Sequence, residues 1–414
     1  MTESRMSDAA SLSSRSDRQR RTAIAFLNWA HALDHFVILI FPTVVIGLEA
    51  VYGRPYSELI ALGTASFVAF GVFSLPAGWL ADRWSRRNMM AVFYLGCGAA
   101  LTAAALAPNL AALAAALFAL GVCAAIYHPV GMPMLIAAAA TRGRTLALNG
   151  VCGNLGAALA AGITAGLASW FGWRGAFLIP AAVCIATGIA YVALVPDDGE
   201  RAGTRRATAD VALPPKIAAG FFGIYVVVAL TSGLTFNTLS VALPKIVDER
   251  LGFSISLLAV GGLTTLVFLC GAVAQIWVGR LVERFSPARL FVAVVALQLL
   301  GVYVAVHGSG VALLLALAAS MGGIYAQVTV GDLVIARYTA DAWRGRVYAV
   351  RYFLTFVASG AAVWVIAVLH RSGGFDLVLA SVAALTTVTL AGVIAIALLV
   401  SAVEGRGRPV QATE

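Results

Sequence analysis

Residues 57–87, SELIALGTASFVAFGVFSLPAGWLADRWSRR, pass through a long uncharged stretch into a loop holding Asp82 and three arginines, Arg83, Arg86 and Arg87. A run of roughly 20 apolar residues crosses the hydrocarbon core of a bilayer as a helix, because a helix bonds every backbone group internally. The pattern recurs from polar break to polar break. The spans expected are 22–48, 57–81, 88–107, 110–138, 145–169, 175–195, 217–243, 255–278, 288–306, 311–336, 346–369 and 375–402. These runs are too long for barrel strands and lack their alternation. The expected fold class is an all-α membrane protein with twelve transmembrane helices.

Composition agrees. Of 414 residues, 61% are apolar and 11% charged, with a mean hydropathy of +0.92. A soluble domain carries about 25% charged residues, so this chain has too little charge to wet a normal surface. That excludes a soluble enzyme. The net charge of +9 does not indicate a nucleic-acid partner either, since the basic residues sit in short polar intervals rather than on one face.

Their distribution sets the expected orientation. Arg5, Arg15, Arg18, Arg20 and Arg21 precede the first span, and the loops at 83–87, 142–144, 280–289 and 337–346 fall on the same side, as do the interval 201–216 and the tail. Opposite them stand Arg54, Arg174, Lys245, Arg250 and Arg371. By the positive-inside rule both termini are cytoplasmic, in the plasma membrane, here a bacterial inner membrane. The Ser/Arg-rich leader, 1–21, runs into a full-length span without a small-residue cleavage site and reads as a disordered cytoplasmic tail. Cys97, Cys123, Cys152, Cys184 and Cys270 lie within apolar runs at unrelated spacings and read as small core residues.

The longest polar interval, 196–216, has linker composition and separates a first bundle at 22–195 from a second at 217–402, with a cytoplasmic tail at 403–414. The two parts resemble each other. Gly78-Trp-Leu-Ala-Asp-Arg-Trp-Ser-Arg-Arg87 aligns with Gly279-Arg-Leu-Val-Glu-Arg-Phe-Ser-Pro-Ala288, so Asp82 falls on Glu283 and Arg83 on Arg284. At nearly the same offset Pro42 falls on Pro244, His35 on Asn237, and Arg142-Gly-Arg144 on Arg344-Gly-Arg346. An internal duplication of this kind predicts two pseudo-symmetric six-helix bundles, an organisation typical of transporters.

With this loop motif, its weaker echo and the central linker, the chain resembles the major facilitator superfamily over essentially its whole length after the leader. Within it, His31-Ala-Leu-Asp-His35 followed by Pro42, and Tyr127-His-Pro129, resemble the fosmidomycin-resistance-like efflux branch. The resemblance implies a secondary transporter working by alternating access. Two departures stand out: Leu110 to Ile126 lacks the superfamily's usual arginine, and the span at 145–169 lacks the Gly-Pro pair of the antiporter signature.

The loop residues read as a gate. Gly78 and Gly279 permit close helix approach, Asp82 and Glu283 can accept from guanidinium groups, and Arg83, Arg86, Arg87 and Arg284 hold the loops at the anionic inner leaflet. In the duplicated geometry Asp82 should face Arg344 and Arg346, and Glu283 should face Arg142 and Arg144. The alternative is that these residues signal topology alone.

Ionisable groups at membrane depth cost about 2.5–3.5 kcal/mol each on insertion scales, which makes them functional candidates. Asn28, His31, Asp34 and His35 fall within a roughly 120° arc of one helix, with Pro42 on the same stripe. His31, Asp34 and His35 are therefore the expected proton-coupling group, their alternative role being a satisfied polar contact. Asn28, His128, Asn154, Asn237, Gln275, Gln327 and Arg351 are candidate substrate contacts; each also reads as helix-to-helix glue. Arg351 needs an anionic partner, either Asp332 or a substrate group. Glycines at 150, 153, 156, 162 and 166 allow close packing.

There is no G-x-x-x-x-G-K-[ST] and no G-x-S-x-G or H-E-x-x-H, so the chain is expected to be neither an ATP-driven pump nor an enzyme. No cofactor and no resident metal is expected. The function expected is proton-coupled efflux of a small amphiphilic or anionic organic compound by a monomer in the lipid bilayer, with proton and substrate as its only partners and no nucleic acid. The alternatives are proton-coupled uptake of an organic anion and divalent-metal transport through His31, Asp34 and His35, the i, i+4 pair being a metal-ligand spacing.

Overall fold

The computed structural model describes residues 2–139, 142–197, 215–252, 254–339 and 341–406, with the side chains of 2–16, 142, 143, 215, 341–346, 348, 349, 352, 356 and 404–406 outside that description. The linker expected at 196–216 therefore falls almost wholly outside the described residues. Among the described residues all regular structure is helical: α1 (Thr2–Ile38), α2 (Ile40–Tyr52), α3 (Tyr56–Ile60), α4 (Thr64–Arg83), α5 (Arg86–Ala105), α6 (Leu110–Ala124), a π turn (Tyr127–Gly131), α7 (Met132–Ala138), α8 (Arg142–Leu194), α9 (Pro215–Arg250), α10 (Leu257–Leu281), α11 (Pro287–His307), α12 (Gly310–Tyr338) and α13 (Asp341–Arg406), with a single 3₁₀ turn at Ala61–Gly63.

The expected count of twelve helices in two six-helix bundles is corrected. Among the described residues ten helices are long and apolar enough to cross a membrane. The difference lies in Arg144–Leu194 and Phe353–Val403, each 51 residues, where two breaks read from sequence are not loops. In α8 the only departure from helical backbone is Gly172 (φ 73°, ψ 169°), and in α13 it is the pair Gly373 and Gly374, the latter at φ 60°. A residue with a Cβ is strained at positive φ, so glycine lets the chain turn there inside an otherwise helical segment.

The remaining boundaries follow local chemistry. Asn109 accepts from Ala112 N and Ser256 from Ala259 N, N-caps that satisfy otherwise orphaned donors. Pro42 has no N–H, and the helix slips at Leu39, three residues before it. Pro129 likewise withholds a donor, and the backbone widens into the π turn there.

The chain divides into two compact units, one comprising 1–51 and 65–204, the other 52–64 and 205–414. In the first, α8 packs along α1 and α5, and α5 on α6, around Tyr94, Tyr127, Tyr191, Phe93 and Phe177. Lipid supplies no hydrophobic drive between helices, so close van der Waals approach must hold them. A Cβ on Gly156 would lie 2.0 Å from the Ala32 carbonyl oxygen, and one on Gly121 2.0 Å from that of Ser66. Those glycines thus bring α8 against α1 and α6 against α4. In the second unit α9 packs on α13 and α12 on α10 and α11. Its core includes Phe221, Tyr225, Phe291, Val294, Val330, Val334, Val393 and Ile396.

Candidate functional site

Within the first unit, α1, the π turn and α8 converge on a buried polar group. Asn149 on α8 is its hub. Its amide Nδ2 donates to Tyr127 Oη at 2.9 Å and to Asn28 Oδ1 at 3.0 Å. Its backbone carbonyl accepts from His31 Nδ1 at 2.8 Å. With Nδ1 protonated, a neutral His31 presents a lone pair at Nε2, to which His35 Nε2–H donates at 3.2 Å. Tyr127 stacks on the His31 ring at a centroid distance of 4.8 Å. Gly153, one turn beyond Asn149, leaves the room: a Cβ there would come within 2.6 Å of His31 Nε2.

Asp34 occupies the same region. It is 1% exposed, and its Oδ2 lies 3.4 Å from His128 Nε2, an ion-pair distance. Among the described residues neither of its oxygens accepts a hydrogen bond. A buried carboxylate with one imidazole beside it is costly to keep charged. His128 itself comes from the π turn, a feature that recurs at functional sites. Its ring sits 5.4 Å from that of His31 and 5.8 Å from that of His35.

The structure thus brings together Asn28, His31, Asp34, His35 and His128. Asn154 lies half-buried on α8. The second unit holds Asn237, which donates to its own helix at the Gly233 carbonyl (2.8 Å), and Gln275, which donates to Thr329 Oγ1 (2.9 Å). Gln327 is buried on α12. Arg351 forms an ion pair with Asp332 and donates to the Val328 carbonyl at 3.3 Å. Of the gate residues, Asp82 pairs with Arg86 at 2.8 Å, Arg83 lies over the Trp79 ring, and Arg87 donates to the carbonyls of Val192 and Val195 at the end of α8. A Cβ on Gly78 would lie 3.2 Å from Pro129, whereas one on Gly279 would meet nothing within 4 Å. Glu283 and Arg284 are exposed, and the Arg344 and Arg346 side chains lie outside the described residues.

Sequence reasoning missed the hub role of Asn149 and a second cluster. Lys245, 6% exposed, pairs with Asp248 at 2.9 Å and Glu249 at 3.4 Å. Glu249 also pairs with His370 at 3.1 Å, and the Tyr56 ring packs on His370. The i, i+3 and i, i+4 spacing of Lys245, Asp248 and Glu249 was the available signal.

The sequence model of the Major Facilitator Superfamily matches residues 24–254 and again 225–414. The chain belongs to that superfamily, whose members are membrane transporters and not enzymes. No curated protein matches it significantly in sequence. Among solved structures it is similar to a D-xylose-proton symporter, with a TM-score of 0.69 at 15% identity over 91% of this chain and 96% of that one. It is also similar to a bacterial homolog of the human lysosomal transporter Spinster, in an inward-facing and unoccupied conformation, with a TM-score of 0.67 at 13% identity over 95% and 99%. At these identities the likeness is one of fold. The protein is a multi-pass membrane transporter for a small molecule.

Proposed function

We propose that this transporter exports a small amphiphilic or anionic organic compound across the plasma membrane in exchange for protons, by alternating access between its halves at 22–195 and 217–402, as a monomer with both termini cytoplasmic. The observation that carries the reading is Asp34: a membrane-depth carboxylate without a hydrogen bond among the described residues, beside one imidazole at 3.4 Å. Such a group can take up a proton when its surroundings dry and release it when they wet, and His128 is placed to stabilise the charged form. Asn28 and Asn149 supply neutral donors and acceptors beside it, and the ring faces of Tyr127 and the histidines supply flat apolar surface, a combination suited to an amphiphile. Uptake of an organic anion would draw on Arg351, but the Asp332 pair already meets that charge.

Inverted membrane vesicles holding an inside-acid gradient test this directly. Adding members of a panel of small organic amphiphiles and anions should partly collapse the gradient for at least one compound. A panel that leaves the gradient untouched in vesicles containing the folded protein, while a labelled compound moves down its own gradient, would contradict proton exchange.

A further inference from the structure

We propose that His31, His35 and His128 form a binding site for one late first-row divalent cation of the Zn²⁺ type. The inference concerns binding alone and does not depend on which compound the protein carries.

The three histidines each offer a ring nitrogen, and these atoms all lie within 4.8 Å of one another. In a tetrahedral zinc site with metal–nitrogen bonds of about 2.0–2.1 Å, ligand nitrogens stand about 3.4 Å apart. The His31 and His35 Nε2 atoms, 3.2 Å apart, already meet that spacing, and coordination by His35 Nε2 requires its proton to pass to Nδ1. The set is not a chance run along one helix. Two ligands are one turn apart on α1, and the third is delivered by the π turn from a segment about a hundred residues further on.

Two further observations point to a ligand. His31 donates its Nδ1–H to the Asn149 carbonyl, which fixes the ring and leaves Nε2 as the coordinating atom, the usual arrangement around metal-bound histidine. Asp34, 1% exposed and without an accepted hydrogen bond among the described residues, lies with Oδ2 3.4 Å from His128 Nε2. Its negative charge would offset part of the cation's. Three imidazoles favour Zn²⁺, Co²⁺, Ni²⁺ or Cu²⁺ over the oxygen-seeking Mg²⁺ and Ca²⁺.

The test is calorimetric titration of Zn²⁺ into the purified, metal-free, full-length protein carrying no added histidine tag, in detergent micelles without any proton gradient. One Zn²⁺ should bind per chain, and Mg²⁺ at the same concentration should not bind. His31→Ala and His128→Ala should each weaken binding at least about tenfold, whereas His307→Ala and His370→Ala, which change the only other histidines in the sequence, should leave it unchanged. His128→Cys, which replaces one zinc ligand by another, should recover most of the loss, a result that a packing role for His128 does not produce. Absence of Zn²⁺ binding by the monodisperse wild type, or binding that survives both His31→Ala and His128→Ala, overturns the site. Since neither gradient nor organic compound is present, this outcome is separate from the fate of the exporter reading.

Discussion

The two polar groups at membrane depth, one in each unit, solve the same problem in opposite ways. In the second unit the charge of Arg351 is met by Asp332, and Asn237 is bonded within its own helix. In the first unit, Asn149 ties down His31, Asn28 and Tyr127, yet the carboxylate among them accepts no hydrogen bond among the described residues. The repeat aligns His35 with Asn237 and Asn149 with Arg351. A duplicated scaffold thus sets a guanidinium against a carboxylate in one copy, Arg351 against Asp332, and a buried carboxylate beside a titratable imidazole, Asp34 beside His128, in the other. A pair with a permanently charged guanidinium favours a structural role, and a carboxylate beside an imidazole that can gain or lose its proton favours the working one.

The sharpest way to break that contrast is Asp34→Asn. Gradient-driven export should fall to background, while exchange of labelled for unlabelled compound at equal concentrations, which moves no net proton, continues; retained gradient-driven export would put Asp34 outside the mechanism. Next in size is Gly156→Ala. The new methyl meets the Ala32 carbonyl, so thermal unfolding in detergent should show a loss of about 3 kcal/mol. Gly279→Ala, with open space around it, should stay within about 0.5 kcal/mol.

Asp332→Asn should act on stability and spare the coupling. It strands Arg351, and because the Asp332 side chain is 38% exposed the cost should be roughly 2 kcal/mol, below that of breaking a fully buried pair. Coupled export per folded molecule should persist, and its loss would erase the distinction between the two sets. The smallest effect on stability belongs to Asp82→Asn. The Asp82 to Arg86 pair lies at the surface, so unfolding should shift by less than about 0.5 kcal/mol. On the gate reading, turnover slows while the range of compounds bound stays the same, which competition binding would measure.

Much of this was legible in the sequence. Apolar runs at 88–107 and 288–306 became Arg86–Ala105 and Pro287–His307, because polar residues mark where a helix leaves the hydrocarbon. The helix count was not: the breaks announced by Arg174 and by His370, Arg371 and Ser372 are turns at Gly172 and Gly373–Gly374 inside long helices, not loops between separate ones. His31, Asp34 and His35 were visible as one helical face. His128 joined them only through tertiary packing, and the hub role of Asn149 escaped notice because Asn28, His31 and Tyr127 meet it only in the folded chain, His31 through a backbone carbonyl that every residue has. The Lys245 cluster is closed by His370, 121 residues from Glu249, a distance that no local spacing encodes.

The central claim, that the Asp34 carboxylate moves the proton, is tested most directly by following lumen pH in inverted vesicles holding an inside-acid gradient. Wild type, Asp34→Asn and Asp332→Asn would be compared at equal amounts of folded protein, with a compound that collapses the wild-type gradient. The account predicts compound-induced alkalinisation for wild type and Asp332→Asn and none for Asp34→Asn. Alkalinisation by Asp34→Asn, or its loss only in Asp332→Asn, would contradict it.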